Sequence, residues 1–294
     1  MIELTRAVLE ELGLVPKGTR PRFNIALTRG ASLSTDVWLP DGSFVHVKAS
    51  ELEGLEGEYQ RARAAFERFA EYTVEPLGFV SREGWDILVT RGIRAEPLDA
   101  SHFNARSAVP QRIAGFFAHA AALARPGQHA HAPLLEELRC HPATAAWASD
   151  IGATLGPRTL AALDRLGTLP QHGDFTRNNL AVTEGGIVVF DWEDFGASQL
   201  PGLDLCTLLL SLAQFEAQTL RSWLRPQTSH PGAHAALVNQ ACLALGLSGE
   251  LFRSLVPLYL LTFLKLKAAY SECLRQSLLT LIEELTPDPI VRVA

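Results

Sequence analysis

The chain has 294 residues, of which 47% are hydrophobic and 20% are charged, and its 26 basic against 32 acidic residues give a net charge of −6. At roughly 100–200 residues per domain, this length predicts one large domain or two coupled ones. The composition is close to globular averages, which excludes a disordered chain or a coiled coil, and without a basic excess we expect no nucleic-acid partner.

Neither a signal peptide nor a membrane partner is expected. The first residues, MIELTRAVLEELGL, mix acids into the apolar positions, and the most apolar runs, residues 205–213 and 255–264, are far shorter than the roughly 20 residues of a membrane span. The four cysteines contain no CxxC pair and lie in apolar, helical contexts, which predicts reduced, buried thiols in a cytoplasmic protein. They are Cys140, Cys206, Cys242 and Cys273.

The first third of the chain has the period-two pattern of a small β-sheet. A short amphipathic helix over residues 5–12 precedes the sheet, and a longer helix over residues 55–71 interrupts it. The predicted strands lie in the segments FNIALTRG, STDVWLP and SFVHVKAS and over residues 74–81 and 85–91. Beyond Gly92 the pattern is mostly helical. We therefore predict an α+β chain with a boundary near residues 91–95.

One hairpin interrupts the helical part, in the segment QHGDFTRNNLAVTEGGIVVFDWEDFG, residues 171–196. Strands over residues 179–182 and 187–192 flank a glycine-containing turn, and Asn179 and Asp191 are each six residues from its centre. In an antiparallel hairpin these two residues lie roughly opposite each other, with Cβ atoms about 5 Å apart. A carboxamide and a carboxylate are hard oxygen donors, so the hairpin predicts a Mg²⁺ site.

Asp174 precedes Asn179 by five residues, in a loop that begins with His172. The order His-x-Asp-x4-Asn, hairpin, Asp191 is typical of a phosphoryl-transfer site, in which one aspartate accepts the substrate proton. The asparagine and the second aspartate hold Mg²⁺ on the nucleotide phosphates. A literal DFG begins at Asp194, but Asp191 ends the apolar strand and Asp194 lies beyond it. We therefore interpret Asp191 as the metal ligand.

The motif HGDFTRNN followed by VVFDWE resembles that of the aminoglycoside phosphotransferase and choline kinase families, a branch of the protein-kinase-like fold. The resemblance implies a bilobal α+β fold, with a small antiparallel-sheet N-lobe that contains one main helix and a larger, mostly helical C-lobe. The N-lobe, residues 1–92, would clamp the nucleotide. The C-lobe, residues 93–294, would carry the catalytic loop, the metal hairpin and the acceptor-binding helices.

The resemblance also implies roles for individual residues. Asp174 would be the catalytic base, and His172 would orient its loop. Asn179 and Asp191 would bind Mg²⁺, with ATP or GTP as the phosphoryl donor. The segment GLDLCTLLL resembles the family's following helix, whose acid, here Asp204, supports the catalytic loop.

Lys48 is one of only four lysines, and it lies on the predicted strand SFVHVK. An unpaired charge that faces a cleft is costly, so we predict an ammonium that reaches the α- and β-phosphates while a helix glutamate holds it. By the family pattern that partner is Glu58, with Glu56 as the alternative. A charge that protects an edge strand from aggregation is the other interpretation of Lys48. His46, on the same strand face, replaces the small apolar residue usual in kinase-like folds and is expected to narrow the pocket or change the preferred nucleotide.

Two further segments are expected to contact the nucleotide. The small-residue turn between the first two strands, with Gly30 and Ser32, is expected to close over the phosphates, although it contains no GxGxxG. The strand DILVTRG would form the linker whose backbone receives the adenine, at Val89, Thr90 and Arg91.

The predicted function is phosphorylation of a small-molecule hydroxyl by a kinase that depends on Mg²⁺ and on ATP or GTP. The acceptor would be an antibiotic, a sugar or another metabolite, since the C-terminal region has no dense acidic patch. One alternative is a nucleotide-binding or regulatory module that kept the kinase fold and lost turnover. A metal-dependent phosphohydrolase is disfavoured, because the sequence lacks the further His and Asp ligands at metal spacing.

Overall fold

The computed structural model describes residues 1–25, 32–52, 54–104, 107–125, 131–225, 232–269 and 271–285. The chain divides into two compact units. The first unit comprises Met1–Glu96 and Val188–Glu193, and the second comprises Pro97–Ile187 and Asp194–Ala294. A short segment from the middle of the chain therefore belongs with the N-terminal unit.

An antiparallel sheet in the order β1-β2-β3-β5-β4 forms the first unit. Its strands are Arg22–Ile25 (β1), Ser32–Trp38 (β2), Phe44–Ser50 (β3), Pro76–Arg82 (β4) and Trp85–Arg91 (β5). The helices Ile2–Glu11 (α1) and Leu55–Phe69 (α2) complete the unit within the described residues. These elements overlap the predicted ones, because apolar and β-branched residues alternate with polar ones along the strands. Helix α1 begins at Ile2 rather than at residue 5, and residues 26–30 of the first predicted strand lie outside the described residues.

Strand alternation separates an apolar face of this sheet from a polar one. The apolar face packs against α1 and forms the core of the unit. Members of this core are Leu4, Val8, Leu9, Val37, Val45, Val47, Ala49, Ile87 and Val89. The intervening residues of β3, His46 and Lys48, therefore point to the opposite face. Leu88 and Thr90 of β5 point the same way, because they alternate with the core residues of their own strand.

Helices make up most of the second unit. They are Val109–Ala122 (α3), His131–Cys140 (α4), Ala145–Arg165 (α5), Leu203–Leu212 (α6), Ala217–Leu224 (α7), Ala233–Ala244 (α8), Gly249–Leu266 (α9) and Glu272–Leu285 (α10). Helix α5 is interrupted at Gly156, which has a φ of 68° and precedes a proline. A small sheet has the order β6-β7-β8, with the strands Glu96–Pro97 (β6), Leu180–Val182 (β7) and Ile187–Val189 (β8).

The hairpin strands β7 and β8 are shorter than the sequence predicts. Asn179 ends a 3₁₀ turn just before β7, and Asp191 lies beyond β8 with a φ of 56°. This left-handed backbone breaks the extended conformation, and a second 3₁₀ turn begins at Trp192. Neither Asn179 nor Asp191 belongs to a strand. The prediction that these two residues lie within the hairpin strands is therefore wrong.

Helices α6 and α9 are buried on nearly all sides rather than along one stripe, which places them at the centre of the second unit's core. The buried Tyr259 hydroxyl of α9 donates to the Pro201 carbonyl, just before α6, at 2.8 Å. Among the described residues no single helix has both the length and the hydropathy for a membrane span. Helices α8 and α9 meet those criteria only as a pair bent by 96°.

The four cysteines are free thiols in two different environments. Cys206 of α6 and Cys242 of α8 are buried, and burial raises the pKa of the Cys242 thiol to about 12. Cys140 and Cys273 are exposed, so the prediction of a buried thiol is wrong for these two residues. They lie at the end of α4 and in the first turn of α10, where less of a side chain is covered by neighbouring helices.

Gly202 precedes α6 in a position that requires glycine. Its φ is +91°, and a Cβ atom there would lie 2.5 Å from Tyr259 Oη and 3.0 Å from Leu247 Cδ1. We expect Gly202→Ala to lower the free energy of unfolding by about 2–4 kcal/mol, through a left-handed conformation and an overpacked core together. Gly246→Ala is the matched control, because its φ is +69° and no atom lies within 4 Å of its Cβ position. The control should lose only about 1–2 kcal/mol in urea unfolding, and equal losses would contradict the packing argument.

Candidate active site

Lys48 and Glu58 form a short ion pair in the first unit, in which Lys48 Nζ donates to Glu58 Oε2 at 2.7 Å. Glu58 is buried in the first turn of α2, whereas Glu56 is exposed. Burial lowers the pKa of Lys48, but the carboxylates of Glu58, Asp191 and Glu193 raise it, and the net result is a pKa above the ordinary value. The ammonium of Lys48 therefore stays charged at neutral pH.

The ion pair lines a cavity of about 330 Å³ within the first unit. The polar face of the sheet forms one side of this cavity, and residues 190–192 of the segment Val188–Glu193 form another. Other residues that line it include Ser34, His46, Leu88, Thr90, Phe190 and Asp191. A cavity with a fixed cation, a few polar groups and apolar side chains suits an anionic ligand that also has an apolar or aromatic part.

Three side chains of β2 and β3 form a hydrogen-bonded chain at this cavity. Ser34 Oγ lies 2.7 Å from His46 Nε2, and His46 Nδ1 lies 2.8 Å from Asp36 Oδ1. The strand register places Asp36 opposite His46 and Ser34 opposite Lys48. A carboxylate only accepts, so His46 Nδ1 donates to Asp36, and the two neighbours together fix the ring orientation. The sequence marks His46 as unusual, but only the strand register identifies its partners.

A cluster of carboxylates lies beside Lys48. Glu58, Asp191 and Glu193 each have an oxygen atom within 4.8 Å of the others. Hard oxygen donors at this spacing suit Mg²⁺. Trp192, between the two acids of the segment, is buried, and its ring stacks on Phe69 of α2 with centroids 5.5 Å apart. The stacking holds the segment, and with it the carboxylates, against α2.

The structure describes four of the five other residues that the sequence assigns to the nucleotide. Of the three in the predicted adenine linker, Thr90 lines the cavity, whereas the Val89 side chain is fully buried in the core on the opposite face of the sheet. Arg91 forms an exposed ion pair, 2.6 Å long, with the glutamate that precedes β4. The Ser32 hydroxyl donates to a serine of β3 at 3.4 Å. Gly30 lies outside the described residues.

In the second unit a buried carboxylate holds the loop that carries His172 and Asp174. Asp204 Oδ2 accepts from the His172 N–H at 2.7 Å, and Asp204 Oδ1 accepts from the Gly173 N–H at 3.0 Å. The Asp204 N–H in turn donates to Gln171 Oε1 at 3.1 Å. Burial raises the pKa of Asp204 to about 7, although the two N–H groups lower it. The loop is therefore attached to the buried helix α6.

His172 and Asn179 fix the backbone on both sides of Asp174. His172 Nδ1 accepts from the Asp174 N–H at 3.2 Å, and Asn179 Nδ2 donates to the Asp174 carbonyl at 2.9 Å. His172 is almost fully buried, which suits a residue that orients the loop. Gly173 has a φ of 87°, and a Cβ atom there would lie 2.8 Å from Asp194 Cβ, so the loop requires glycine. His172, Asp174 and Asn179 are thus brought together in one loop.

A second lysine reaches this loop and is missed by the sequence analysis. Lys267, at the end of α9, has its Nζ 3.1 Å from Asp174 Oδ2 and 2.6 Å from Asp194 Oδ2. Its side chain is only 2% exposed. The available signal is the rarity of lysine together with a position directly after the apolar run of α9. The packing of α9 then decides which carboxylates this lysine contacts.

Comparison with known families gives one match by sequence. A family model described as "phosphotransferase enzyme family" matches residues 34–237 of this chain. The matched range begins in β2 and ends within α8, so it includes both Lys48 and Asp174. No match was found among curated protein sequences.

Solved structures share the fold over nearly the whole chain. An ethanolamine kinase from Plasmodium vivax has a TM-score of 0.60 at 11% identity, covering 98% of this chain and 88% of that one. A choline kinase from Cryptosporidium parvum has a TM-score of 0.56 at 9% identity, covering 96% and 94%. An aminoglycoside phosphotransferase in ternary complex with ADP and hygromycin B has a TM-score of 0.54 at 14% identity, covering 97% and 99%. The α+β protein-kinase-like fold predicted from the sequence is confirmed.

The buried carboxylate of Asp204 leads to a pH dependence of stability. The pKa of Asp204 is about 7 in the folded protein against an ordinary value of 3.8, so between these pH values the folded protein binds more protons than the unfolded chain. Its contribution to the free energy of unfolding therefore falls as the pH rises through this window. Asp204→Asn removes the titration. In urea unfolding we expect the wild type's free energy of unfolding, relative to the variant's, to be about 2–3 kcal/mol higher at pH 5 than at pH 7.5. A difference that does not change with pH would contradict this assignment.

Proposed function

Because this chain belongs to the phosphotransferase enzyme family and is a small-molecule kinase, we propose that it transfers the terminal phosphoryl group of MgATP or MgGTP to a hydroxyl group of a small molecule. The Lys48–Glu58 ion pair beside Asp191 and Glu193 is the observation that carries the proposal. One cavity then contains both a fixed cation for phosphate oxygens and oxygen ligands for a metal ion.

Lys48 is the proposed phosphate ligand. Its ammonium donates to the α- and β-phosphates, and the bond from Lys48 to Glu58 keeps it oriented before the nucleotide arrives. The base would lie against Leu88 and Thr90, which line the same cavity. We propose that the segment between β1 and β2, which includes Gly30, covers the phosphates together with Ser32 at the start of β2. Residues 1–92 are in this proposal the nucleotide clamp.

The residues present fit Mg²⁺, a cation that prefers carboxylate and amide oxygens and keeps several of its waters. Asp191 and Glu193 would hold it in the first unit, since their carboxylate oxygens lie within 4.8 Å of each other. The motif assigns the same role to Asn179, and that assignment stays a prediction. Bound Mg²⁺ supplies positive charge that neutralises the phosphates during transfer.

Asp174 is the proposed general base. The acceptor hydroxyl gives its proton to the Asp174 carboxylate while its oxygen forms a bond to phosphorus, and the bond from phosphorus to the departing nucleoside diphosphate breaks. His172 and Asn179 support this role because they hold the backbone of Asp174 from both sides. A base held in this way keeps its carboxylate within reach of the acceptor. Residues 93–294 would then carry both the catalytic loop and the acceptor site.

The acceptor is proposed only as a class. The neighbours named above include a choline kinase, an ethanolamine kinase and a phosphotransferase with bound hygromycin B, so one fold serves different acceptors. Because the C-terminal region has no dense acidic patch for a polycation, we favour a weakly polar hydroxylated compound, such as a sugar derivative or an antibiotic. A regulatory module without turnover would need the Lys48 pair but no supported base, so the loop around Asp174 favours an enzyme. Its cytoplasmic location stays a prediction.

Nucleotide binding can be tested by thermal unfolding. MgATP or MgGTP at millimolar concentration should raise the melting temperature of the wild type by mass action, and the same nucleotide with EDTA should raise it much less. Lys48→Met should lose most of the shift because it removes the phosphate ligand. Lys17→Met, which removes an exposed lysine of the same unit, should keep the shift and serves as control. If no purine triphosphate stabilises the wild type, the kinase proposal is refuted.

Turnover tests the role of Asp174. A library of hydroxylated metabolites and antibiotics should reveal an acceptor that accelerates nucleoside diphosphate release. Asp174→Asn keeps the side-chain shape but removes the base, so we expect turnover to fall at least about a hundredfold with nucleotide affinity close to wild type. Asp191→Asn should weaken both, because it removes a metal ligand. Equal loss of nucleotide affinity in the two variants would make Asp174 a metal ligand and reopen the phosphohydrolase alternative.

A further inference from the structure

We propose that Lys267 is a positioning residue for phosphoryl transfer, and that Asp194 anchors it. This inference rests on the proposed function, in which Asp174 is the base. The ammonium of Lys267 lies between two carboxylates, 3.1 Å from Asp174 Oδ2 and 2.6 Å from Asp194 Oδ2. A side chain at the end of a core helix thus contacts the residue that would accept the proton.

The burial of this lysine calls for a reason beyond packing. Its side chain is 2% exposed, and a buried ammonium loses hydration that its partners must replace. An apolar residue of similar volume would fill the same space without that cost. The two partners, by contrast, are each about one-fifth exposed, at 20% for Asp174 and 22% for Asp194. The ammonium is therefore enclosed while both carboxylates remain accessible. A lysine that holds the base Asp174 in place without blocking the acceptor would have this arrangement.

The contact leaves one oxygen of Asp174 for chemistry. Lys267 engages Oδ2, and none of the described residues forms a hydrogen bond or an ion pair with Oδ1. His172 and Asn179 already hold the N–H and the carbonyl of Asp174. The ammonium adds the missing constraint, because it restricts the side-chain torsions that the backbone contacts leave open. Oδ1 would then be presented to the acceptor hydroxyl.

Lys267 is held at both ends, its backbone by helix α9 and its ammonium by Asp194, and both of these are fixed. The Lys267 N–H donates to the Phe263 carbonyl at 2.9 Å, and α9 is buried through most of its length. Asp194 packs directly against the loop, because a Cβ atom at Gly173 would lie 2.8 Å from Asp194 Cβ. The aspartate of the literal DFG therefore has a role in this chain other than binding metal. It holds the lysine that holds the base.

The test compares two lysines of the same chain segment. Lys267→Met removes the buried charge and keeps the volume, and Lys265→Met is the matched control, since Lys265 pairs with Glu137 at the surface. Nucleotide turnover is measured with the best acceptor of the library or with water as the acceptor. We expect Lys267→Met to lower kcat at least about tenfold while the KM for MgATP or MgGTP changes less than about threefold. The control should retain the wild-type kcat.

Two further variants separate positioning from general loss of structure. In Lys267→Ala, ethylammonium added to the assay should restore part of kcat, because it can occupy the space of the missing ammonium. Asp194→Asn should lower kcat less than Lys267→Met does, and the double variant should be no slower than Lys267→Met alone, since both substitutions break one arrangement. Fully additive losses, or an unchanged kcat in Lys267→Met, would overturn the proposal.

Hydrogen exchange of the loop distinguishes this inference from the proposed function. The amides of residues 173–176 should exchange faster in Lys267→Met than in the wild type, and should not change in Lys265→Met. If the wild type shows no turnover, the proposed function fails and the exchange rates alone decide whether Lys267 holds the loop. If the wild type turns over and Lys267→Met is equally fast, the function stands and the inference is wrong.

Discussion

Two backbone N–H groups, those of His172 and Gly173, donate to the buried carboxylate of Asp204, and the position of the loop that carries Asp174 depends on this interaction. Asp204 lies near the start of α6, a helix that is buried on nearly all sides. The loop is therefore attached to a part of the structure that is held in place by core packing. Burial raises the pKa of Asp204 to about 7, so the carboxylate is held at a cost in stability near neutral pH. In return, the two hydrogen bonds to Asp204 hold the loop, and with it Asp174, in a defined position.

Each unit contains a lysine whose ammonium group is buried or partly buried and is held by carboxylates. Lys48 is held by Glu58 in the first unit, and Lys267 is held by two aspartates in the second. Each lysine extends from an element whose apolar side is packed in a core, either the sheet strand β3 or the helix α9. For a lysine as buried as Lys267, removing one partner typically costs about 3–5 kcal/mol, since the other charge is left uncompensated. The charges are thus positioned by hydrophobic packing.

Much of the fold could be predicted because its signals are local. Alternation along β3 places Val45 and Val47 in the core and thereby directs Lys48 to the other face, and this inference needs only the sequence. The spacing of Asp174 and Asn179 within one loop is equally local. The ends of the hairpin strands could not be predicted, because apolar residues continue past Val189 while the left-handed backbone at Asp191 depends on surrounding packing. The burial of all four thiols was also predicted from apolar sequence contexts, whereas Cys140 and Cys273 are exposed because neighbouring helices cover less of their side chains.

The sequence by itself determined the elements, the family motif and the lysine of the sheet, because periodicity and spacing act over a few residues. Only the tertiary structure decided which distant groups meet. Glu58 rather than Glu56 contacts Lys48 because the rotation of α2 directs Glu58 inward. Lys267 contacts Asp194, 73 residues earlier in the chain, because the packing of α9 brings its end to the loop that carries Asp174. No local pattern encodes such a contact, since it results from the burial of whole helices against one another.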